Sequence, residues 1–231
     1  MQHALRLFQG FEQFSNELGE YAKGAKGHVR LWANMSALTE FLPNSLASFL
    51  KIHPDIQVDV EEQISGDIVK ALLDGIADIG VFAEGTPTAG LETSIIGQDE
   101  LVVVCNKSHP IKSRKNISFE ECLAYDFVGL NRGSSLLELT SRQAERLNKQ
   151  MRLRIQVRSY DAMCQMIAVN LGVGILPIQA CAPQIKAMDL KVIHLDDAWA
   201  KRNLLLATKE NGRQSPASTL LIEHLRQKIP T

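Results

Sequence analysis

Cysteine and histidine are the side chains best able to do covalent or metal chemistry, and here their spacing argues against both. Cys105, Cys122, Cys164 and Cys181 form no Cys-x-x-Cys pair, the arrangement that zinc sites and redox dithiols use. Four reduced, mostly buried thiols are the expected state. His3, His28, His53, His109, His194 and His224 make no HxxxH or HExxH pattern and no Cys/His set at zinc spacing, so no metal is expected. His53 and His109 each precede a proline, which is turn chemistry. The sequence contains no GxSxG elbow and no GxxxxGK[ST] phosphate loop. Gly172 to Pro177 begins like a dinucleotide fingerprint, but it follows a helical pattern and ends in proline. A dinucleotide loop must leave a strand and open a helix; a helix end followed by a short buried strand fits better. These residues ask for no catalysis and no cofactor.

The chain has 231 residues, with 25 Lys+Arg against 26 Asp+Glu and a formal charge of −1. At that length one or two cores can form without a disulfide or metal staple. The longest purely apolar runs are about five residues, as in Leu101 to Cys105, whereas a bilayer span needs ~20. The N-terminal MQHALRLFQGFEQF lacks the basic, apolar, then small layout of a secretory signal. A cytoplasmic protein with no membrane partner is expected. With no dense Lys/Arg stripe, the chain is not expected to grip a phosphate backbone by itself.

The elements that would position any site follow from periodicity. Ala4, Leu7, Phe11, Phe14, Leu18 and Tyr21 step by 3, 4, 3, 4 and 3, a heptad seam that keeps one apolar edge toward a partner helix. An amphipathic helix lying on its own domain is the alternative. Glycines and lysines over 23–27 end it. From His28 the pattern becomes β-α-β-α-β: a strand near Val29 to Ala33, and a helix starting at Ser36 with a kink or second start at Pro43. A strand from Ile56 to Val60, a helix capped by Ser65, and a strand from Asp78 to Phe82 follow. The second half repeats the alternation: strands at Leu101 to Cys105, Phe127 to Leu130, Leu153 to Val157, Val192 to Leu195 and Leu204 to Ala207. Helices are expected over 134–151, from Ser159 or Asp161 through Leu171, and from Ser215-Pro216 onward. Two successive units of this kind predict two small α/β lobes, with ligands at the carboxyl ends of strands beside helix N-termini.

Gly27 to Leu31, Ser36 through Phe41-Leu42-Pro43, Phe49-Leu50, His53-Pro54-Asp55 and Leu73 to Ile79 together resemble the first lobe of the effector domain of LysR-type transcriptional regulators. Leu101 to Val104 with Ser108-His109-Pro110, and Val169 to Pro177, resemble its second lobe. The resemblance implies two Rossmann-like lobes in a type 2 periplasmic-binding-protein-like fold with an N-terminal linker helix. It divides the chain into a linker and dimerisation helix over 1–26, a first lobe over 27–98 and 204–231, and a second lobe over 99–203. The crossings are expected near Gly97–Glu100 and Ala200–Asn203. Leu7, Phe11, Phe14, Leu18 and Tyr21 then pair two subunits in a homodimer or a dimer of dimers. DNA would be bound only through an N-terminal winged helix-turn-helix that these residues do not include.

The resemblance also places a small-molecule effector, a small anionic metabolite, in the interlobe cleft. Ser36 and Ser65-Gly66 stand at expected helix starts, where hydroxyls and unpaired N–H groups suit an anion, and they match effector-contacting positions of the family. Asn131, Arg132 and Ser134 leave a strand end, and Arg132 can pair a carboxylate bidentately. Tyr160, Asp161 and Pro177 are expected to face the same cleft. Plain capping is the competing explanation for the serines, and a surface charge for Arg132. One branch of the family senses peroxide through cysteines near the 130s segment; Gly129 to Leu137 holds none, so that version does not fit. The competing function is a stand-alone solute-binding protein of the same fold, against which the absent signal and the heptad seam both count. An enzyme on this fold would need a nucleophile or acid/base pair that is not apparent.

Overall fold

The computed structural model describes residues 27–227. The heptad helix expected over 1–26 therefore lies outside the described residues.

Strand β1 (Gly27–Ala33) pairs in parallel with β2 (Ile56–Glu62) and with β3 (Ile79–Ala83). Between β1 and β2 the chain makes a π-helical segment (Ala37–Phe41) and then α1 (Leu42–Ile52); α2 (Ser65–Asp74) joins β2 to β3. The interruption expected at Pro43 is this change of pitch. Proline has no N–H to continue the ladder, and the Leu42 N–H instead reaches back to the Ala37 carbonyl. Strand β4 (Leu91–Cys105) is the longest in the sheet, and its first ten residues, with few apolar positions, were not legible as a strand.

Beyond β4 come β5 (Asn116–Ile117), α3 (Phe119–Cys122), β6 (Asp126–Leu130), α4 (Ser135–Arg146) and β7 (Arg152–Val157). Then follow α5 (Tyr160–Ala168), β8 (Gly174–Pro177), α6 (Ile178–Ala187), β9 (Lys191–Leu195), β10 (Lys201–Lys209) and α7 (Pro216–Gln227). Two helices are shorter than expected. Asn148 and Asn170 take positive φ (53° and 61°) just past the ends of α4 and α5, a conformation that stops a helix. Pro177 ends β8 and precedes the first residue of α6, rather than lying inside the helix.

The main sheet runs β2-β1-β3-β10-β4-β9-β5, with β8 also on β4. The first part of β4 pairs antiparallel with β10, and its apolar end, Leu101 to Cys105, pairs with β8 and β9. One strand thus belongs to both lobes. In the first lobe Val29, Leu31 and Ala33 face α1 and α7 through Leu42, Phe49, Leu221 and Leu225. The opposite face meets Ile68, Ala71 and Leu72 of α2. In the second lobe, Val102, Val103, Val104, Phe119, Phe127, Ile175 and Ile193 form a separate core. Because β2 is an edge strand, only part of it is covered: Ile56 is buried and Val60 is 39% exposed. On the last helix Leu221 and Leu225 are buried, while Leu220 is 39% exposed.

The glycines that imitate a dinucleotide motif have a packing role. Val173 lies beside β6: its N–H donates to the Asp126 carbonyl, and its carbonyl accepts from Val128. A Cβ at Gly172 would stand 2.5 Å from the Asp126 carbonyl oxygen, backbone that has nowhere to go. Gly172→Ala is therefore expected to destabilise the chain by about 1–3 kcal/mol, measured by urea denaturation.

Candidate functional site

The parallel register of β1 and β2 sets Ala33 against Glu62, so the segments leaving their carboxyl ends, with Ser36 and Ser65, are neighbours. Neither serine is a cap. Asn34 does that work before Ser36: its Oδ1 accepts from the Ala37 N–H at 3.0 Å, and Ser36 itself is helical (φ −62°, ψ −49°). Ile64 takes the extended conformation before α2, which leaves Ser65 as the first helical residue. Both hydroxyls are therefore free of the role that competed with a functional one.

They meet different fates. The Ser36 Oγ lies 2.9 Å from the Tyr160 hydroxyl of the other lobe, and Arg202 Nη2 is 3.5 Å away. The Ser65 Oγ is buried without a hydrogen-bond partner among the described residues, although Ser65 is only 2% exposed. Such an orphan costs about 1–3 kcal/mol unless something else bonds it. Gly66 beside it opens outward; an added Cβ would meet nothing within 4 Å.

The second lobe supplies a rim. Asn131 and Arg132 are exposed, and Arg132 has no ion pair among the described residues. Asn131 donates its N–H to the Val157 carbonyl, which fixes the loop on the end of β7. Ser134 caps α4, accepting from the Leu137 N–H at 3.1 Å. This loop approaches the Ser65 end of the first lobe: a Cβ at Gly133 would stand 3.1 Å from Ile64 Cδ1. Tyr160 is buried at the start of α5, where Ser159 caps the helix through the Ala162 N–H. Asp161 is exposed and accepts from Gln165 at 2.8 Å. Pro177 is buried opposite Leu101. Ser36 and Tyr160 are thus in direct contact and the 131–134 loop lies against Ser65's neighbour, while Asp161 makes only a local bond.

Sequence reasoning missed the charges beneath these groups. Asp99 on β4 and Arg202 on β10 stand opposite each other in the ladder. Arg202 Nε donates to Asp99 Oδ1 at 2.9 Å and Nη2 to Oδ2, with both side chains almost wholly buried. Burial opposes the Arg202 charge, but the hydrogen bonds and charge of Asp99 hold it, and its pKa is raised overall. Glu40 faces the same pair, and its Oε2 is buried without a hydrogen-bond partner among the described residues. Burial, then the Asp99 charge, pushes its carboxyl up to about 7, with Arg202 pulling the other way. Burial also pushes the Tyr160 phenol well above its ordinary value. Opposite charges at the two expected lobe crossings were the available signal.

The four cysteines are free and buried. Burial pushes Cys105 up to about 11 and Cys122 up to about 12, which suppresses the reactive thiolate. Among the described residues no group of three or more His, Cys, Asp or Glu could hold a metal ion. Likewise no described helix is long and apolar enough to cross a membrane.

The sequence model of the LysR substrate binding domain matches residues 22–230. The chain belongs to this family. It is the effector-binding domain of a LysR-type transcriptional regulator, with the type 2 periplasmic-binding-protein-like fold expected from the sequence. A protein of Trieres chinensis called "Probable RuBisCO transcriptional regulator" is 24% identical over 97% of this chain and 75% of its own length. The regulatory domain of CcmR from Synechocystis PCC6803, solved in complex with 2-PG, superposes with a TM-score of 0.80 at 21% identity, covering 87% of this chain and 97% of that one. The effector binding domain of QuiR in complex with shikimate gives a TM-score of 0.78, also at 21% identity, over 87% and 96% of the two chains.

Two outcomes are expected from the buried charges of this LysR-family domain. Arg202→Ala, which strands Asp99, lowers unfolding free energy by about 3–5 kcal/mol, while the double replacement Asp99→Leu with Arg202→Met costs less than either single loss; urea denaturation measures both. Glu40 binds its proton more tightly folded than unfolded. Its contribution to stability is therefore fully present below pH 4.5 and is lost as pH rises through about 7. Melting curves of Glu40→Gln against the parent should show the variant gaining relative stability from pH 5 to pH 8.

Proposed function

We propose that this LysR-type domain senses a small anionic metabolite held between its lobes, and through it controls transcription from the cytoplasm without catalysing a reaction. The ligand would contact Ser36, Ser65 and Gly66 on one side, and Asn131, Arg132, Ser134, Tyr160, Asp161 and Pro177 on the other. The observation that carries this reading is the buried Ser65 hydroxyl at the N-terminus of α2, which has no hydrogen-bond partner among the described residues. A helix start offers unsatisfied N–H groups and a positive dipole end, and the exposed Arg132 guanidinium lies on the facing loop's rim. The solved relatives in complex with shikimate and 2-PG are in keeping with an anion.

The 1–26 helix would pair subunits through Leu7, Phe11, Phe14, Leu18 and Tyr21, with lobes over 27–98 plus 204–231 and over 99–203. DNA would be contacted by an attached winged helix-turn-helix. Effector binding can shift such an assembly only by binding its two states with different affinity.

Isothermal titration of this chain with shikimate, 2-PG and benzoate tests the reading. At least one anion is expected to bind, and Ser65→Ala is expected to weaken it about tenfold, the scale of a hydrogen bond to a charged group. Binding that Ser65→Ala and Arg132→Ala both leave unchanged refutes the assignment.

A further inference from the structure

Ser36 and Tyr160 are 124 positions apart, yet their hydroxyls lie 2.9 Å from each other. Both residues are buried, at 3% and 5% exposure. Ser36 is on the first lobe and Tyr160 on the second, so this bond joins the two lobes. Neither group is there by looseness. Ser36 is fixed by the Asn34 cap beneath it, and Tyr160 is the first residue of a helix capped by Ser159. Arg202 approaches the same Ser36 oxygen at 3.5 Å while clamped on Asp99 in the crossing strands. Ser36 keeps spare hydrogen-bonding capacity, but it is only 3% exposed with this side chain of the opposite lobe against its oxygen, so a ligand has no open path to it.

We infer that Tyr160 is an internal occupant of the interlobe site: its hydroxyl holds the cleft shut when no ligand is bound, and a ligand must displace it to reach Ser36. The displacement rests on the ligand role proposed above for Ser36, and it narrows the role proposed for Tyr160 to its ring, making its hydroxyl a competitor of the ligand rather than a bonding partner; the closure rests on neither. A ligand that must first break this bond binds more weakly by the fraction of molecules that are open. Removing the hydroxyl should loosen the empty domain and tighten ligand binding together, a pairing that loss of an ordinary ligand contact would not produce.

Hydrogen exchange read by mass spectrometry on the ligand-free chain tests the closure. In Tyr160→Phe, peptides over 35–42 and 160–168 should exchange about fivefold faster, the equivalent of one hydrogen bond. Strands Leu101–Cys105 and Leu204–Thr208 should keep their protection, which reports that both lobes remain folded. Arg142→Ala, which removes a peripheral bond to the Gly85 carbonyl, should change neither cleft peptide. Exchange in Tyr160→Phe equal to the parent overturns the inference. Should Tyr160→Phe lose strand protection, Ser36→Ala decides by the same readout. Titration with shikimate and 2-PG tests the displacement. Binding about fivefold tighter in Tyr160→Phe than in the parent supports it, and equal or weaker binding overturns it. Faster cleft exchange with no binding to either form upholds the closure and refutes the anion reading instead.

Discussion

The buried ion pair between Asp99 and Arg202 is the constraint on which the lobe arrangement depends. The two residues sit opposite each other where β4 and β10 pass between lobes. In such a place two charges are costly to bury, and they are tolerated because the geometry is bidentate. The pair fixes the crossing strands to each other. It also gives Arg202 a second duty, since the same guanidinium reaches the Ser36 hydroxyl. What looks like a flexible connection is thus a polar core of its own, shared by both lobes and separate from the apolar core of each.

Around that pair the polar groups divide into satisfied and unsatisfied. Ser36 and Tyr160 satisfy one another across the cleft. Ser65 Oγ and Glu40 Oε2 are left without partners among the described residues. A low local dielectric strengthens the satisfied bonds and penalises the orphans, so these buried groups carry unspent polar capacity where the lobes meet. A ligand able to meet those groups recovers part of that cost. This is a physical basis for coupling occupancy to the relative position of the lobes.

Much of this was legible in the sequence. The β-α alternation, the two-lobed organisation and the family emerged from apolar spacing and a set of ordered motifs. Ser118-Phe119-Glu120-Glu121 has the spacing of a capping box and forms one, because capping is decided within four residues. Local rules failed where longer contacts took over. Ser36 and Ser65 resembled caps by position, yet Asn34 and Ile64 precede the helices. The first part of β4 carried too few apolar residues to read as a strand, since its pairing with β10 comes from a segment about a hundred positions away.

What the sequence determined by itself was therefore the repertoire: which segments become helix or strand, and which residue types could receive an anion. Hydrophobic periodicity and backbone capping are properties of neighbours in the chain, and a single sequence displays them directly. The tertiary structure alone decided the pairing of Asp99 with Arg202, the meeting of Ser36 with Tyr160, and the burial of the Glu40 Oε2 atom and of the Ser65 hydroxyl. Each of these depends on residues far apart in the chain being desolvated at one point, and no local pattern encodes the free energy of that encounter.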